Sequence, residues 1–321
     1  MFAVTCTSQS DEDPLSGLTL GDRPDPEVPS GWVRVRLKAS ALNHHDLWSL
    51  RGVGLSADRL PMVLGCDGAG VTDDGDEVVV HAVVSSPGWT GDDTLDPKRT
   101  LLSESYDGTL AEQVVVPARN LLPKPAALSF EQAACLPTAW LTAYRMLFTQ
   151  AGLRPGQRVL VQGAGGGVAT AAIALARAAG LVVYATSRDE GKRERARELG
   201  AHEAFETGAR LPQKMDAALE TVGKATWSHS MRSLRPGGTL VVSGATSGAD
   251  PSADLNRLFF LQLRVVGSTM GTRDELAGLL SLLEATGVRP VVDEVLPLRE
   301  ARTGLERLAA GDVFGKLVLT P

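Results

Sequence analysis

A glycine-rich segment near the middle of the chain carries the clearest chemical signal in the sequence. Residues 159–161 have the apolar character of a buried strand, residues 163–167 are four glycines and one alanine, and an Ala-rich helical pattern follows. A strand that turns through glycines into a helix directs backbone N–H groups and the helix dipole at a pyrophosphate. A glycine string alone is also typical of a plain tight turn, but this context favours a dinucleotide site. Its predicted contacts are Ala164, Gly165, Gly166, Gly167 and Val168.

The next strand pattern, at residues 182–186, indicates which dinucleotide is bound. Enzymes that use NAD end this strand with an acid that binds the ribose 2′-hydroxyl, and Ser187 stands in that position here. Arg188 and Lys192 follow and are suited to a 2′-phosphate through charge-assisted hydrogen bonds. Both are alternatively solvated surface cations with acids beside them. The pattern favours NADPH.

The secondary-structure pattern that positions these residues differs between two parts of the chain. Residues 1–125 alternate short strand patterns with turns, and residues 85–105 form a polar, Gly- and Asp-rich loop that we expect to be mobile or a lid. From Ser129 onward, apolar strands alternate with helices, which predicts a parallel sheet covered on both faces. The expected fold class is α/β.

Composition excludes several classes of protein. The 321 residues are 43% hydrophobic and 22% charged with a net charge of −6, which is typical of globular chains with about two domains. The negative charge argues against nucleic acid as a partner. Three scattered cysteines are too few for a disulfide framework and suit a reducing cytoplasm. With neither a secretory signal nor an apolar run of membrane-spanning length, a cytoplasmic protein without membrane attachment is expected.

Several short motifs also follow the order of a known family. They are Ala-Leu-Asn-His-His-Asp-Leu at 41–47, Gly-Cys-Asp-Gly-Ala-Gly at 65–70, Gly-Asp-Glu-Val at 75–78, Asp-Gly-Thr-Leu-Ala-Glu at 107–112, Thr-Ala-Tyr at 142–144, Arg-Pro-Gly-Gly at 235–238 and Gly-Lys-Leu-Val at 315–318. Together with the glycine turn, they make the chain resemble the medium-chain dehydrogenase/reductases over essentially its whole length. The resemblance is to the zinc-free, quinone oxidoreductase-like branch.

The resemblance implies a domain organisation. A GroES-like β-barrel catalytic domain would comprise residues 1–125 and 271–321, and a Rossmann domain with a doubly wound, parallel, six-stranded sheet would comprise residues 126–270. Family members pair the last strand of the nucleotide domain across a dyad. Residues 264–268 would make that contact here, so a homodimer is expected.

The resemblance also bears on metal binding. Related alcohol dehydrogenases hold catalytic zinc through Cys, His and Cys, and the matching residues here are Asn43, Cys66 and Thr138. Only one of these is a plausible ligand, so no metal site and no zinc are expected. Cys135 is arguable as a displaced ligand, although Cys66 and Cys135 are better interpreted as packed residues.

Chemistry without zinc requires hydride delivery and a proton or hydrogen-bond donor. Asn43, at the first lost ligand position, is the best-placed oxyanion donor by resemblance, with a structural amide as the equal alternative. His45 stands where relatives place a proton-relaying hydroxyl; a surface imidazole is its alternative. Asp46 is the third catalytic candidate, although its position suits ordering of the local turn better.

Further contacts are carried over by position. His44 and Lys316 would contact the pyrophosphate, or alternatively be surface charges. The residues expected along the nicotinamide end are Thr142, Gly244, Ala245, Thr246, Thr269, Met270 and Gly271. Trp48 and Tyr106 would wall the substrate pocket, or alternatively fill apolar surface.

These features predict a zinc-independent, NADPH-dependent reductase of quinones or α,β-unsaturated carbonyl compounds, with a small-molecule substrate. A zinc-type alcohol dehydrogenase is the first alternative. A protein that binds NADPH without turnover, as a sensor or structural protein, is the second.

Overall fold

The computed structural model describes all 321 residues of the chain. They divide into two compact units: the first comprises Met1–Leu141 with Met270–Pro321, and the second comprises Thr142–Thr269. The sequence predicts the first boundary after residue 125. In the structure it lies later because helix Phe130–Ala134 packs on the sheet of the first unit.

The secondary structure comprises eighteen strands and nine α-helices. The strands are β1 Phe2–Cys6, β2 Leu18–Asp22, β3 Trp32–Ala41, β4 Met62–Val63, β5 Asp67–Thr72, β6 Glu77–Val80, β7 Val83–Val84, β8 Thr100–Leu101, β9 Gln113–Pro117, β10 Leu121–Pro123, β11 Arg158–Val161, β12 Val182–Thr186, β13 Glu203–Phe205, β14 Met215–Glu220, β15 Leu234–Val242, β16 Arg264–Gly267, β17 Val292–Pro297 and β18 Lys316–Thr320. The helices are α1 His44–Leu50, α2 Phe130–Ala134, α3 Leu141–Tyr144, α4 Gly167–Ala178, α5 Glu190–Leu199, α6 Lys224–Ser233, α7 Leu255–Phe260, α8 Arg273–Thr286 and α9 Ala301–Ala310.

The second unit is a parallel sheet with helices. Its six strands follow the order β13-β12-β11-β14-β15-β16, and every neighbouring pair is parallel. The sheet packs through buried apolar side chains such as Leu160, Ala218 and Leu240, as expected for strands that are covered on both faces. The prediction of a six-stranded, doubly wound sheet is therefore confirmed.

The first unit is built on a mixed sheet. Strand order is β10-β6-β5-β3-β18-β17, with β9 also paired to β3, and a smaller sheet has the order β2-β1-β4. Strand β3 alternates buried Val35 and Leu37 with exposed Arg36 and Lys38, which is the pattern that predicted it. Strand β18, the last in the chain, pairs antiparallel with β3. The C-terminal segment thus joins the sheet formed by the N-terminal segment.

The loop at residues 85–105 is held in place by two aspartates rather than left without anchors. Asp93 accepts a hydrogen bond of 2.7 Å from the hydroxyl of Ser85, and Asp96 accepts hydrogen bonds from the backbone and hydroxyl of Ser86. Both aspartates are buried. The acidic residues that suggested a mobile loop in the sequence therefore include the two side chains that anchor it.

No helix of the structure combines the length and the apolar character that a bilayer crossing needs.

Candidate functional site

The glycine turn of the second unit lies between β11 and α4. Gly163 and Gly165 have φ of +69° and +124°, which glycine adopts without strain. Gly166 is the N-cap of α4, and no side chain caps this helix. The first N–H groups of α4 therefore lack an intrahelical partner and suit an anion. The turn fits the pyrophosphate of a dinucleotide.

A hydrogen bond joins the turn to the end of β12, the position at which chains that bind NAD differ from chains that bind NADP. The N–H of Ala164 donates to the carbonyl of Thr186 over 2.7 Å. A Cβ added to Gly165 would lie 2.8 Å from Cδ of Lys192, so this lysine extends beside the turn. Ser187 is buried directly after the strand, and Arg188 is exposed. The lysine and arginine expected to bind a 2′-phosphate thus flank the position where an acid would bind a ribose hydroxyl.

The two acids that follow are already engaged by the protein. Asp189 caps α5 by accepting a hydrogen bond of 2.8 Å from the N–H of Lys192. Glu190 forms ion pairs with Arg193 and Arg197. Because both carboxylates have partners, their negative charge is partly compensated where a phosphate would bind.

The other expected cofactor contacts are divided between the two units. Thr142 is the first residue of the second unit and Thr269 is its last, whereas Met270 and Gly271 belong to the first unit. Gly244, Ala245 and Thr246 lie in the segment after β15, one residue beyond its end. Their contact with a nicotinamide stays a prediction.

In the first unit, Lys316 has a different environment from the one expected. Its ammonium is 3% exposed and donates to the carbonyl of Leu42 at 2.7 Å, to Oδ1 of Asn43 at 2.6 Å and to Oδ2 of Asp67 at 3.0 Å. An ammonium has three N–H donors, and all three are used. The sequence predicted that Lys316 contacts the pyrophosphate, and this prediction is corrected here. The lysine instead forms a buried ion pair with Asp67. His44, the first residue of α1, is exposed.

Asn43 is fixed by the same cluster. Its amide nitrogen donates to Oδ2 of Asp67 at 2.9 Å and to the carbonyl of Ala41 at 3.2 Å, while its oxygen accepts from Lys316. Both amide N–H groups are therefore used within the protein. Asn43 therefore has no N–H left to donate to a substrate oxyanion. The predicted oxyanion role is corrected, and Asn43 is a structural amide.

Asp46 orders the start of α1. Its Oδ2 accepts a hydrogen bond of 2.8 Å from the N–H of Asn43, as in a capping box. The side chain is fully buried, and burial raises its pKa to about 6. This geometry matches the turn-ordering role that the sequence favoured over catalysis.

Of the three catalytic candidates, His45 is the one that remains suited to acid–base chemistry. Its Nε2 lies 3.1 Å from Oε1 of Glu104, and its Nδ1 lies 3.4 Å from Sγ of Cys66 and 3.5 Å from Oγ of Ser103. Burial disfavours the charged ring, but the interactions with Cys66, Glu104 and Asp46 outweigh it and hold the pKa of His45 well above its usual value. These contacts favour the protonated form of the His45 imidazole.

Glu104 was missed by the sequence analysis because it lies in the polar loop, where no spacing distinguishes it from neighbouring acids. It also lines a cavity of about 560 Å³ in the first unit, together with Ser56, Arg59, Lys98 and Tyr106. Tyr106 is 39% exposed and its ring lies 4.8 Å from that of Trp32. Trp48, the other expected pocket residue, is half-buried and does not line this cavity.

The three positions matched to zinc ligands do not form a zinc site. Asn43 is engaged as described, Sγ of Cys66 donates to the carbonyl of Leu102 at 3.2 Å, and the hydroxyl of Thr138 is buried without a partner. No cluster of three or more His, Cys, Asp or Glu side chains suits a metal ion. Burial raises the pKa of Cys135 to about 12, as expected for a packed thiol. Zinc independence of the protein itself stays a prediction.

We expect Lys316→Met to lower the free energy of unfolding by about 3–5 kcal/mol, because it leaves the carboxylate of Asp67 buried without its cation. Urea denaturation measures this loss, and the double variant with Asp67→Asn should recover part of it. Arg235→Met is the matched control, since Arg235 forms an ion pair with Asp216 but its side chain is 45% exposed. That variant should lose less than about 1 kcal/mol. Equal losses in Lys316→Met and Arg235→Met would contradict the assignment.

Comparison with known proteins gives two family matches. The alcohol dehydrogenase GroES-like domain matches residues 29–126, and the zinc-binding dehydrogenase family matches residues 167–285. A zinc-type alcohol dehydrogenase-like protein of Schizosaccharomyces pombe is 32% identical, with 96% of this chain and 97% of that protein covered.

Solved structures agree with these matches. An NAD-dependent alcohol dehydrogenase superposes with a TM-score of 0.93 at 38% identity, covering both chains completely. A 2-octenoyl-CoA carboxylase reductase in complex with NADP and 2-octenoyl-CoA gives a TM-score of 0.91 at 26% identity, with 99% of this chain and 87% of that chain covered.

Proposed function

Because the chain belongs to the medium-chain dehydrogenase/reductase superfamily, we propose that it is a zinc-independent reductase that transfers hydride from NADPH to an α,β-unsaturated carbonyl compound or a quinone. The observation that carries the proposal is the imidazole of His45, held between Oε1 of Glu104 at 3.1 Å and Sγ of Cys66 at 3.4 Å. It provides an acid at a site whose residues do not form a zinc ligand set. The superposition on an enoyl-CoA reductase that binds NADP supports the substrate class.

In the proposed reaction, the chain's own residues would have the following roles. The turn at 163–167 holds the pyrophosphate, and Arg188 with Lys192 holds the 2′-phosphate. When bound, the cofactor would supply a hydride to the β-carbon of the substrate, and the electron pair of the C=C bond would move toward the carbonyl oxygen. The resulting enolate takes a proton from His45. Glu104 and Cys66 position this imidazole and favour its protonated form.

A zinc-type alcohol dehydrogenase is the second candidate, favoured by the 38% identical structure of an NAD-dependent alcohol dehydrogenase. Oxidation of NADPH and NADH is followed by absorbance with 2-alkenals, 2-enoyl thioesters and a 1,4-quinone, and the reverse reaction with simple alcohols. Metal content is measured on protein purified without chelators. We expect enone or quinone reduction with no stoichiometric zinc. Zinc-dependent alcohol oxidation without enone or quinone reduction would contradict the proposal.

The cofactor preference depends on two cations. We expect Arg188→Ala and Lys192→Ala each to raise the Kd of NADPH about tenfold, because each removes a charge-assisted hydrogen bond to the 2′-phosphate. The Kd of NADH should change little. Fluorescence titration with both cofactors measures this difference. Lys224→Ala is the control, since Lys224 is an exposed lysine paired with Asp250. A parallel loss of NADH binding would indicate a structural role instead.

The proton donor is tested by two variants. His45→Gln should lower kcat by about 10²–10⁴ with an unchanged Kd for NADPH. A general acid must be protonated, so the wild-type kcat falls as the pH rises through the pKa of His45. Glu104→Gln lowers that pKa by removing a negative partner, and the descending limb of the pH profile moves to lower pH. An unchanged profile in Glu104→Gln would argue against His45 as the acid. His202→Gln, at an exposed position of the second unit, is the control.

We also propose a homodimer through β16. This strand is at the edge of the parallel sheet, with only β15 beside it, and Val265 is 44% exposed. Phe259 and Phe260 of the neighbouring α7 are 58% and 76% exposed. An unpaired strand beside exposed aromatic rings is suited to pairing with a second copy. We expect a dimer in analytical ultracentrifugation and a shift to monomer in Phe260→Asp. A wild-type monomer would refute this proposal.

A further inference from the structure

A cavity in the second unit takes no part in the sites described above. Its volume is about 340 Å³, which is within the range of small-molecule pockets. The segment between β13 and β14 forms one wall, and the C-terminal half of α6 forms the other. The lining residues that matter here are Ala209, Arg210, Leu211, Lys214, His229 and Arg232.

The charges around this cavity are of one sign. Arg210, Lys214 and Arg232 are exposed basic residues, and no carboxylate lines the cavity. Lys214 and Arg232 donate hydrogen bonds only to uncharged oxygens, and Arg210 forms no ion pair. By contrast, Arg235 of the same unit pairs with Asp216 at 2.8 Å. In a chain of net charge −6, three basic residues without carboxylate partners around one concavity indicate an anionic ligand.

His229 makes the inner wall rigid. The ring is 7% exposed, its Nε2 donates to the carbonyl of Ala209 at 2.8 Å, and its Nδ1 lies 2.9 Å from the donating Nε2 of Gln162. Burial lowers the pKa of His229, in agreement with a neutral ring that donates at one nitrogen and accepts at the other. The wall segment is therefore held in place before any ligand binds.

We propose that this cavity binds a phosphomonoester with a small carbon body, with the guanidinium groups of Arg210 and Arg232 as the phosphate ligands. Guanidinium groups present paired N–H donors that match phosphate oxygens. Lys214 donates to the carbonyl of Arg232, where it offsets the negative end of α6. Ala209 and Leu211 provide apolar surface for the carbon body. The proposal does not depend on the substrate class proposed for the enzyme.

The test uses full-length protein saturated with NADPH, or with NADH if that is the cofactor bound, so that the glycine turn is occupied. Glycerol 3-phosphate is titrated by calorimetry, with inorganic phosphate and uncharged glycerol as comparisons. We expect saturable one-to-one binding of glycerol 3-phosphate, weaker binding of inorganic phosphate and none of glycerol. Arg210→Ala and Arg232→Ala should each weaken binding about tenfold. The control Arg257→Ala, at a residue paired with Asp254, should not weaken it.

Two results would overturn this proposal. The first is equal affinity in the wild type and in the double variant of Arg210 and Arg232. The second is binding that occurs only when the dinucleotide is absent, since the ligand would then occupy the glycine turn. An unchanged dinucleotide Kd in each variant verifies that the second unit has folded, so a loss of glycerol 3-phosphate binding is attributable to the cavity.

Discussion

The buried ion pair between Lys316 and Asp67 is the interaction on which the first unit's candidate site depends. The two groups are separated by 249 residues in the chain, and their side chains are 3% and 0% exposed. Moving two charges out of water costs several kcal/mol, and attraction offsets this only with further hydrogen bonds. Here the ammonium has three acceptors, of which one is the amide of Asn43. The pair therefore links β18, β5 and the start of α1.

This linkage determines which group is left for chemistry. Asn43 and Lys316 use all their N–H donors inside the cluster, and Asp46 accepts from the backbone of Asn43. The cluster thus uses its own N–H donors, while Oδ1 of Asp46 and Oδ1 of Asp67 are buried without a hydrogen-bond partner. His45 directly precedes Asp46 on α1, and its partners Cys66 and Glu104 come from outside that cluster. The structural role of Asp46 and the proposed catalytic role of His45 thus fall to adjacent residues of one short helix.

Local patterns predicted the second unit well because its signals are local. The turn after β11 needs glycine at positions of positive φ, and parallel strands buried on both faces appear as apolar runs. The first unit depends on contacts between distant residues, which a single sequence does not contain. Lys316 and Asn43 are 273 residues apart, so nothing in the sequence showed that their donors satisfy each other. Composition likewise could not show that Asp93 and Asp96 are buried.

Glu104 lies where it can affect the acidity of His45. This carboxylate contacts His45 on one side and lines the 560 Å³ cavity on the other. A Cβ at Gly54 would lie 2.8 Å from its Oε1, so glycine at that position gives the carboxylate its room. Because Glu104 lies in a loop outside the ion-paired framework, substitutions there can change the acidity of His45 without loss of the buried cluster. In the proposed mechanism, proton transfer from His45 can therefore be adjusted separately from the stability of the buried cluster.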